Sequence, residues 1–584
     1  MASTDKPGSP QLEIQASDAV HNEHAPQHHH HHHHVPELDI VPLEEEAVSG
    51  AVHINLSWRS WLVVFVTCFA IMAQVLVVVA ASSVIAFIVR DLGEAPISGW
   101  IIQGPLLMQS VLSPIVGRLS DVLDRKYLAS VPPLIAFVGA VISAKATSMA
   151  MLIGGGVLIG TTLSTIAIVQ SIPSEVLPLK YRALANGFAY LAGAIGGTVG
   201  GLGAGALTNV DSGGWRYIFW LQAALHGATA LGLLLFYWPA KTHDYPPMTA
   251  WSYVWACDPV GSTLFVASAT LMLLALDWAG GAYAWSDAHV AAPLSVGLVL
   301  LVLFALYEWK GRSDGLVAHV FFRQNANFAL SVFAFAVEGW IFYSAINTIV
   351  PQIVLNLGFQ TNAWRISIRQ LAYGLPALGA SIPVTLYATY MKDLKTPLIV
   401  TFGVFLVVTI CYSTLKPSWN GPQIGFSVLS GIGQSGPLTL LVACVQFTAP
   451  HAYLSTATGL AFSARAIGGA FGSAVLNAII NGYLNGHYDG AVTAAATQAG
   501  LPAASVPALL KALASAAVWT AAVTASRAQY AHAYRLGWAS IIPFVVLGMV
   551  CIVFMRGVSE LMTEKVEATV EKVDASEETG SEKK

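Results

Sequence analysis

Residues Trp61 to Ala81 read WLVVFVTCFAIMAQVLVVVAA, an apolar run with a single amide, Gln74, and no charge. A helix needs roughly 20 such residues, at about 1.5 Å each, to cross a hydrocarbon core. The run meets that length. A membrane β-strand would alternate polar and apolar residues over about ten positions, and this segment does not, so its backbone must be satisfied within a helix. Similar windows recur as far as Met555. Of the 584 residues, 55% are hydrophobic and only 10% charged, against about 25% charged in a soluble domain. The fold class is an all-α polytopic membrane protein.

Spanning helices are expected at about Trp61–Ala81, Ser98–Val116, Tyr127–Ala144, Met149–Ile172, Ala183–Leu207 and Trp215–Trp238. Two follow at about Asp258–Leu276 and Ala292–Trp309. Six more are expected at about Asn327–Val350, Arg369–Tyr390, Pro397–Leu415, Gly425–Thr448, Thr458–Ile480 and Leu536–Met555. This pattern divides the chain into a disordered cytoplasmic tail (1–57), a six-helix bundle (58–238), two additional helices (239–312), a second six-helix bundle (313–555) and a charged cytoplasmic tail (556–584), helical at first and then disordered. The Ala-rich stretch 481–535 has dispersed polar residues and reads as an extracellular loop containing short helices. The first tail carries His28 to His34; a metal-binding reading competes there with a low-complexity or appended tract, which is preferred. Both tails are expected to be solvated.

Lys and Arg in the connections set orientation. With the N-terminus inside, Arg118, Arg125, Lys126, Lys180, Arg182, Lys241, Lys310, Arg312, Arg323, Lys392, Lys395 and Arg556 face the cytoplasm, and an even number of spans returns the C-terminus to the same side. The plasma membrane is preferred over a vacuolar or vesicle membrane. No basic segment followed by an apolar one marks a signal peptide, so insertion is expected to begin with the first span. Cys68, Cys257, Cys411, Cys444 and Cys551 lie in or beside apolar segments without metal-like spacing. No GxxxxGK[ST] loop, HExxH or GxSxG motif is present. An enzyme is therefore not expected, nor a cofactor, a metal site or a nucleic-acid partner; the expected partners are a small-molecule substrate, protons and the bilayer, with the chain acting as a monomer.

The connection after the second span reads Gly117-Arg118-Leu119-Ser120-Asp121-Val122-Leu123-Asp124-Arg125-Lys126. Gly117 permits close helix approach, and Asp121 can bind an arginine or a helix N-terminus, so Gly117, Asp121, Arg125 and Lys126 read as a conformational latch. The fifth span carries Gly193, Gly196, Gly197, Gly200 and Gly201, an i, i+4 packing face. Arg465, Gly468, Gly469 and Gly472 share a face on the penultimate span.

These motifs resemble the loop signature and the antiporter glycine motif of the major facilitator superfamily, with Asp124 replacing the second loop glycine and Gly197 standing where the helix pattern has proline. The six, two, six order and Ser174-Glu175-Val176-Leu177-Pro178-Leu179-Lys180-Tyr181-Arg182 narrow the resemblance to the fourteen-helix branch, and within it to the fungal trichothecene efflux pumps and their siderophore-transporter relatives. The resemblance implies two six-helix bundles around a cavity, flanked by two extra helices. The function it implies is proton-driven efflux of a hydrophobic natural product, toxin or drug, with ferric-siderophore uptake as the alternative. A membrane sensor that does not transport is a third reading, whose mark would be a large cytoplasmic domain. Two departures stand out. Drug antiporters of this branch usually carry an acid upstream of Asp91-Leu92-Gly93, where this chain has Val77, and an arginine in the fourth span, where Gly154 to Thr162 has none.

Proton coupling is therefore assigned to Glu338, the one carboxylate placed deep in a confident span. An ionisable group there is costly unless it is paired or reaches water, and so is read as functional by default; Phe335, Ile341, Phe342 and Ala345 share its helix face. Gln74, Gln103, Gln109, Thr162, Thr165, Gln222, His226, Asn347, Gln370, Tyr373, Gln434 and Asn477 are the candidate cavity residues, each weighed against a plain interhelical hydrogen bond. Arg365 and Arg369 read either as attractors of an anionic solute or as interface anchors.

Overall fold

The opening apolar run lies inside one helix, α1 (Trp58–Leu92), started by Ser57, whose hydroxyl accepts the Arg59 N–H at 3.3 Å. The structure, a computed structural model, describes residues 54–570 apart from 95–99, 209, 212, 240–244, 280–282, 362 and 501–515. Among the described residues, 14 helices are long and apolar enough to span a membrane. After α1 come α2 (Trp100–Val122), α3 (Arg125–Ala144), α4 in two pieces (Met149–Leu163 and Ile166–Val176), α5 (Arg182–Thr208) and α6 (Trp215–Phe236). The pair α7 (Pro259–Trp278) and α8 (Ala288–Leu306) follows. The second half holds α9 (Asn327–Gly339, continued by a π-helical stretch Trp340–Ile349 and then Val350–Asn356), α10 (Leu371–Tyr390), α11 (Lys395–Ser413), α12 in two pieces (Asn420–Gln434 and Pro437–Gln446), α13 (Leu454–Gln498) and α14 (Ala516–Phe554).

The two halves repeat one plan. In each, the fourth helix is broken: at Pro437, which has no N–H to continue the ladder, and at Ser164–Thr165, whose hydroxyls bond back to the Thr161 and Thr162 carbonyls at 2.6 Å. The second helix of each half packs on the fifth of the other, α2 on α13 and α10 on α5, which relates the halves by a pseudo-twofold axis. The pair α7–α8 packs on itself, and α7 lies beside both α2 and α13.

Lipid gives no hydrophobic drive for helix association, so close packing rests on small residues. A Cβ on Gly196 would overlap the Met72 carbonyl and one on Gly200 would press on Leu76 at 3.3 Å, while Gly193 and Gly197 face Val75 and Gly201 faces Val79. The α5 glycine face therefore docks on α1. On α13, Gly468 meets the Ala336 carbonyl, Gly469 the Tyr343 ring and Gly472 the Trp340 indole, and Gly339 of α9 meets the Arg465 carbonyl. This second glycine face brings the α9 and α13 backbones together.

Two features differ from the sequence reading. Residues 481–498 and 516–535 are not a loop with short helices: they are the facing ends of α13 and α14, which run on beyond the apolar part. Alanine is the strongest helix former, and the 45 residues of α13 amount to about 67 Å of helix against a core of about 30 Å. The extensions are zipped by Tyr483 donating to Gln529 at 3.0 Å, by the Tyr488–Ser526 hydroxyl pair at 2.8 Å and by the stack of Tyr483 on His532 at 4.3 Å. Next, after α14 the chain is not a solvated helix: beyond a short turn at Ser559–Leu561 it packs on the bundles, and Glu567 is buried. Asp124, which stands where the loop signature has glycine, starts α3, its carboxylate accepting the Lys126 N–H at 3.0 Å. The histidine run, the tail 1–53 and residues 571–584 lie outside the described residues.

Candidate functional site

Hydrogen bonds that join the two halves cluster at one end, the face carrying the basic loops. Gly117 of α2 lies against the Ser455 carbonyl and Gly459 of α13 against that of Ser113, with no room for a side chain on either. Asp121 fills the gap left at the start of α13. It accepts the backbone N–H groups of Ser455 (3.2 Å) and Thr456 (2.8 Å) and the Thr456 hydroxyl (2.7 Å), and it pairs with Arg125 at 2.6 Å. A carboxylate on a helix N-terminus satisfies donors that have no partner inside the helix and complements the helix dipole.

Arg125 continues the network to Glu175 at 3.1 Å, and Glu175 accepts from Tyr237 at 2.6 Å and contacts His451 at 2.9 Å. Burial, then the Glu175 charge, hold the Tyr237 phenol well above the usual tyrosine range, so it remains a neutral donor to that carboxylate. Arg118 donates to the Ala452 and Ala256 carbonyls and sits 4.0 Å from the Tyr453 ring centroid. Lys126 instead bonds the Leu234 carbonyl and covers the Trp238 ring. Gln446 closes the seam with neutral groups, accepting from Ser174 (2.8 Å) and Asn186 (2.9 Å) and donating to Thr458 (3.2 Å).

Away from this face, Glu338 is fully buried and is not alone. Arg465 donates to it through Nε at 2.6 Å and Nη2 at 3.2 Å, and the Gln434 amide donates at 2.5 Å. A third nitrogen of Arg465 bonds the Tyr343 hydroxyl at 3.1 Å, and the guanidinium lies 4.8 Å from the Phe342 and Tyr343 ring centroids. Tyr190 from α5 and Tyr373 from α10 are within electrostatic reach of both charges, which places the pair beside the seam between the halves. The helix carrying Glu338 turns π-helical two residues later, with the Thr348 hydroxyl bonded to the Tyr343 carbonyl five residues back at 3.0 Å. Such wide turns concentrate at functional positions.

The other candidates scatter. Gln74 donates to Thr165 at 3.2 Å, and Thr165 to the Thr162 carbonyl, tying α1 to the α4 break. Gln222 and His226 are buried on α6, which packs on α1, α3 and α5, so they belong to the interior of the first half. Gln103, Gln109, Gln370 and Tyr373 are half-buried, and Asn347 and Asn477 are exposed. Arg369 is an anchor, bonded to Gln423 at 2.8 Å and to Asn420; Arg365 is exposed. Among the described residues no group of three or more His, Cys, Asp or Glu is placed to hold a metal ion. Of the cavity candidates, Gln434 touches Glu338, and Tyr373 lies near it. Tyr190 is the residue the sequence reading missed, and Arg465 it named only as part of a glycine face, without its pairing to Glu338. A signal for Arg465 was there: an arginine in mid-span is as anomalous as a glutamate, and the cheapest resolution is that the two meet.

A fold of two six-helix halves around a twofold seam, with a buried charge pair beside it, defines a multi-pass membrane transporter. The sequence profile described as Major Facilitator Superfamily matches residues 61–473, and the chain belongs to that family. Similar proteins include the MFS-type transporter opaD of Aspergillus ustus, 25% identical over 79% of this chain and 80% of that protein, and the MFS efflux transporter aclA of Aspergillus oryzae, 25% identical over 70% of this chain and 74% of that protein. Among solved structures, the proton:xylose symporter XylE aligns with a TM-score of 0.53 at 12% identity, over 88% of this chain and 99% of that one. The human organic anion transporter MFSD10 aligns at 0.51 and 13% identity, over 84% and 99%; both likenesses concern the fold.

Asp121→Asn keeps the side-chain size and removes the charge that Arg125 and the α13 N-terminus share. Transport by the reconstituted variant should fall at least about tenfold, the equivalent of roughly 1.4 kcal/mol, while its yield and monodispersity stay at wild-type values. Undiminished transport at normal yield would show that the latch charge is dispensable.

Proposed function

We propose that this protein exports a bulky, hydrophobic and moderately polar natural product, toxin or drug in exchange for protons, working as a monomer in the plasma membrane with both termini in the cytoplasm. The observation that carries the reading is the Glu338–Arg465 pair. A buried ion pair is often no more stabilising than an apolar pair of the same volume, so its presence beside the seam is accounted for by switching. A proton on Glu338 cancels one charge and leaves Arg465 to Tyr343 and the rings around it. The contact between α9 and α13 then differs in the two protonation states, which is the differential that population shift requires. Phe335, Phe342, Tyr343, Tyr190 and Tyr373 around the pair offer aromatic faces suited to an apolar cargo with a few polar groups.

Export is supported by the efflux transporter aclA among the relatives. The orientation is supported by the seam itself, since Arg118, Arg125, Lys126, Lys180 and Arg182 all lie at its closed end and basic loops stay in the cytoplasm. Epitope tags at either terminus should be silent in intact cells and should stain after permeabilisation; staining of intact cells would reverse the topology.

Glu338→Gln imitates the protonated state at nearly constant volume. In proteoliposomes it should retain cargo binding and cargo exchange while accumulation driven by a pH gradient is lost. Leaving Arg465 without its partner costs about 3–5 kcal/mol, so Glu338→Gln/Arg465→Gln is the companion variant, expected to regain thermal stability and to remain uncoupled. Gradient-driven accumulation at the wild-type rate by either variant would remove Glu338 from the coupling step.

A further inference from the structure

Past α14 the chain remains bound to the protein, first to one half and then to the other. Met555, Val558 and Met562 are buried in an apolar cluster built mostly from the second half, which also takes in Leu179 and Ala183 of the first. The Asn327 side chain holds Arg556 by both backbone groups, donating to its carbonyl at 3.0 Å and accepting its N–H at 2.8 Å. Beyond Met562 the chain makes backbone bonds to the first half. The Thr563 carbonyl accepts the Lys180 N–H at 2.8 Å, the Lys565 carbonyl accepts the Leu179 N–H at 2.9 Å, and the Ala568 N–H donates to the Glu175 carbonyl at 3.0 Å. Glu564 pairs with Lys180 at 2.8 Å on the surface, and Glu567 pairs with Arg182 where both side chains are buried. Val570 packs against the cluster that holds Leu233 and Tyr237.

We propose that residues 563–568 form a strap, a segment tethered to the second half and docked on the turn between α4 and α5, which holds the basic face closed and must release that turn before the face can open. The segment is short. Arg556 is held by Asn327 of the second half, Thr563 already bonds the first half, and the chain between them reaches at most about 3.3–3.6 Å per residue. Separation of the halves at this end beyond that short reach therefore breaks one anchorage. The second-half anchorage is continuous with α14, whereas the first-half anchorage rests mainly on ion pairs and hydrogen bonds, with the apolar contact of Val570 beyond them, so release falls on the α4–α5 turn. Arg182 also donates to the Gln446 carbonyl across the seam at 3.0 Å, so the ion pair of the strap and the closure of the seam share one guanidinium. A segment that binds only the closed arrangement shifts the equilibrium towards it. The strap acts on the gate and does not depend on the assignment of Glu338.

The test is hydrogen exchange on the purified full-length protein, reading amides 176–182 under the strap and 451–460 at the seam, where Ser455 and Thr456 donate to Asp121. Glu564→Gln/Glu567→Gln should speed exchange in both segments together, by about a hundredfold or more, as loss of a buried ion-pair partner implies. Lys180→Gln leaves the buried Arg182 pair intact and should move both segments in the same direction by a smaller factor; it serves if the double variant does not fold. Faster exchange under the strap with an unchanged seam would show a tail that merely packs, and an unchanged rate in both segments, or a change at the seam alone, would equally overturn the strap.

Discussion

A charge on Glu338 or Arg465 is costly in the middle of an apolar bundle unless it is paired, and much of the arrangement around the two follows from that cost. Three of the guanidinium nitrogens are committed, two of them to the carboxylate, and Gln434 supplies a further donor from α12. To bring the two charges into contact, α9 and α13 must approach to backbone distance, and glycines at 339, 468 and 472 are what permit it. The π-helical stretch begins at Trp340, immediately after the glycine that lies against Arg465. Charge pairing, small-residue packing and the local widening of the helix thus meet on one short segment of α9.

The two ends of α13 perform different tasks. Its N-terminus is held by Asp121, so that the negative loop of one half caps a helix of the other, and further along it carries Arg465. Motion that frees the α13 N-terminus therefore acts on the helix that holds one member of the charge pair. The pseudo-twofold pairing of α2 with α13 and α5 with α10 makes these helices the surfaces along which the halves meet. Closure of the basic face rests on a graded set of contacts: glycine against carbonyl, charge against helix terminus, the neutral Gln446 network, and the segment beyond α14. Each is individually modest, and they share residues, Arg182 and Glu175 in particular, so they form and break together.

Much of the fold was legible in the sequence because hydrocarbon imposes a length and a composition that few other settings do. The six, two, six order, the loop at Gly117–Lys126 and the glycine face of α5 could all be read from residue type and spacing. Where the reading failed, a second principle outweighed hydropathy. Residues 481–498 and 516–535 are too polar to span but rich in alanine, and helix propensity carried α13 and α14 past the apolar stretch. The tail after Met555 is charged, yet Glu564 and Glu567 face Lys180 and Arg182, and no local pattern announces a partner 384 or 385 residues away. At the site, Glu338 was visible as an anomaly and Gln434 as one amide among twelve polar candidates. Tyr190 carried no signal, since a tyrosine in a spanning helix is common, and only the packing of α5 against the second half brings it near the charges.

The central claim is that Glu338 exchanges a proton as cargo binds and leaves. It is tested most directly by adding a transported compound to purified protein in weakly buffered solution and following proton release with a pH-sensitive dye. Release in proportion to bound cargo, absent in Glu338→Gln/Arg465→Gln at equal cargo occupancy, is the result expected. Cargo binding with no change in bound protons, or equal release from the double variant, would contradict it.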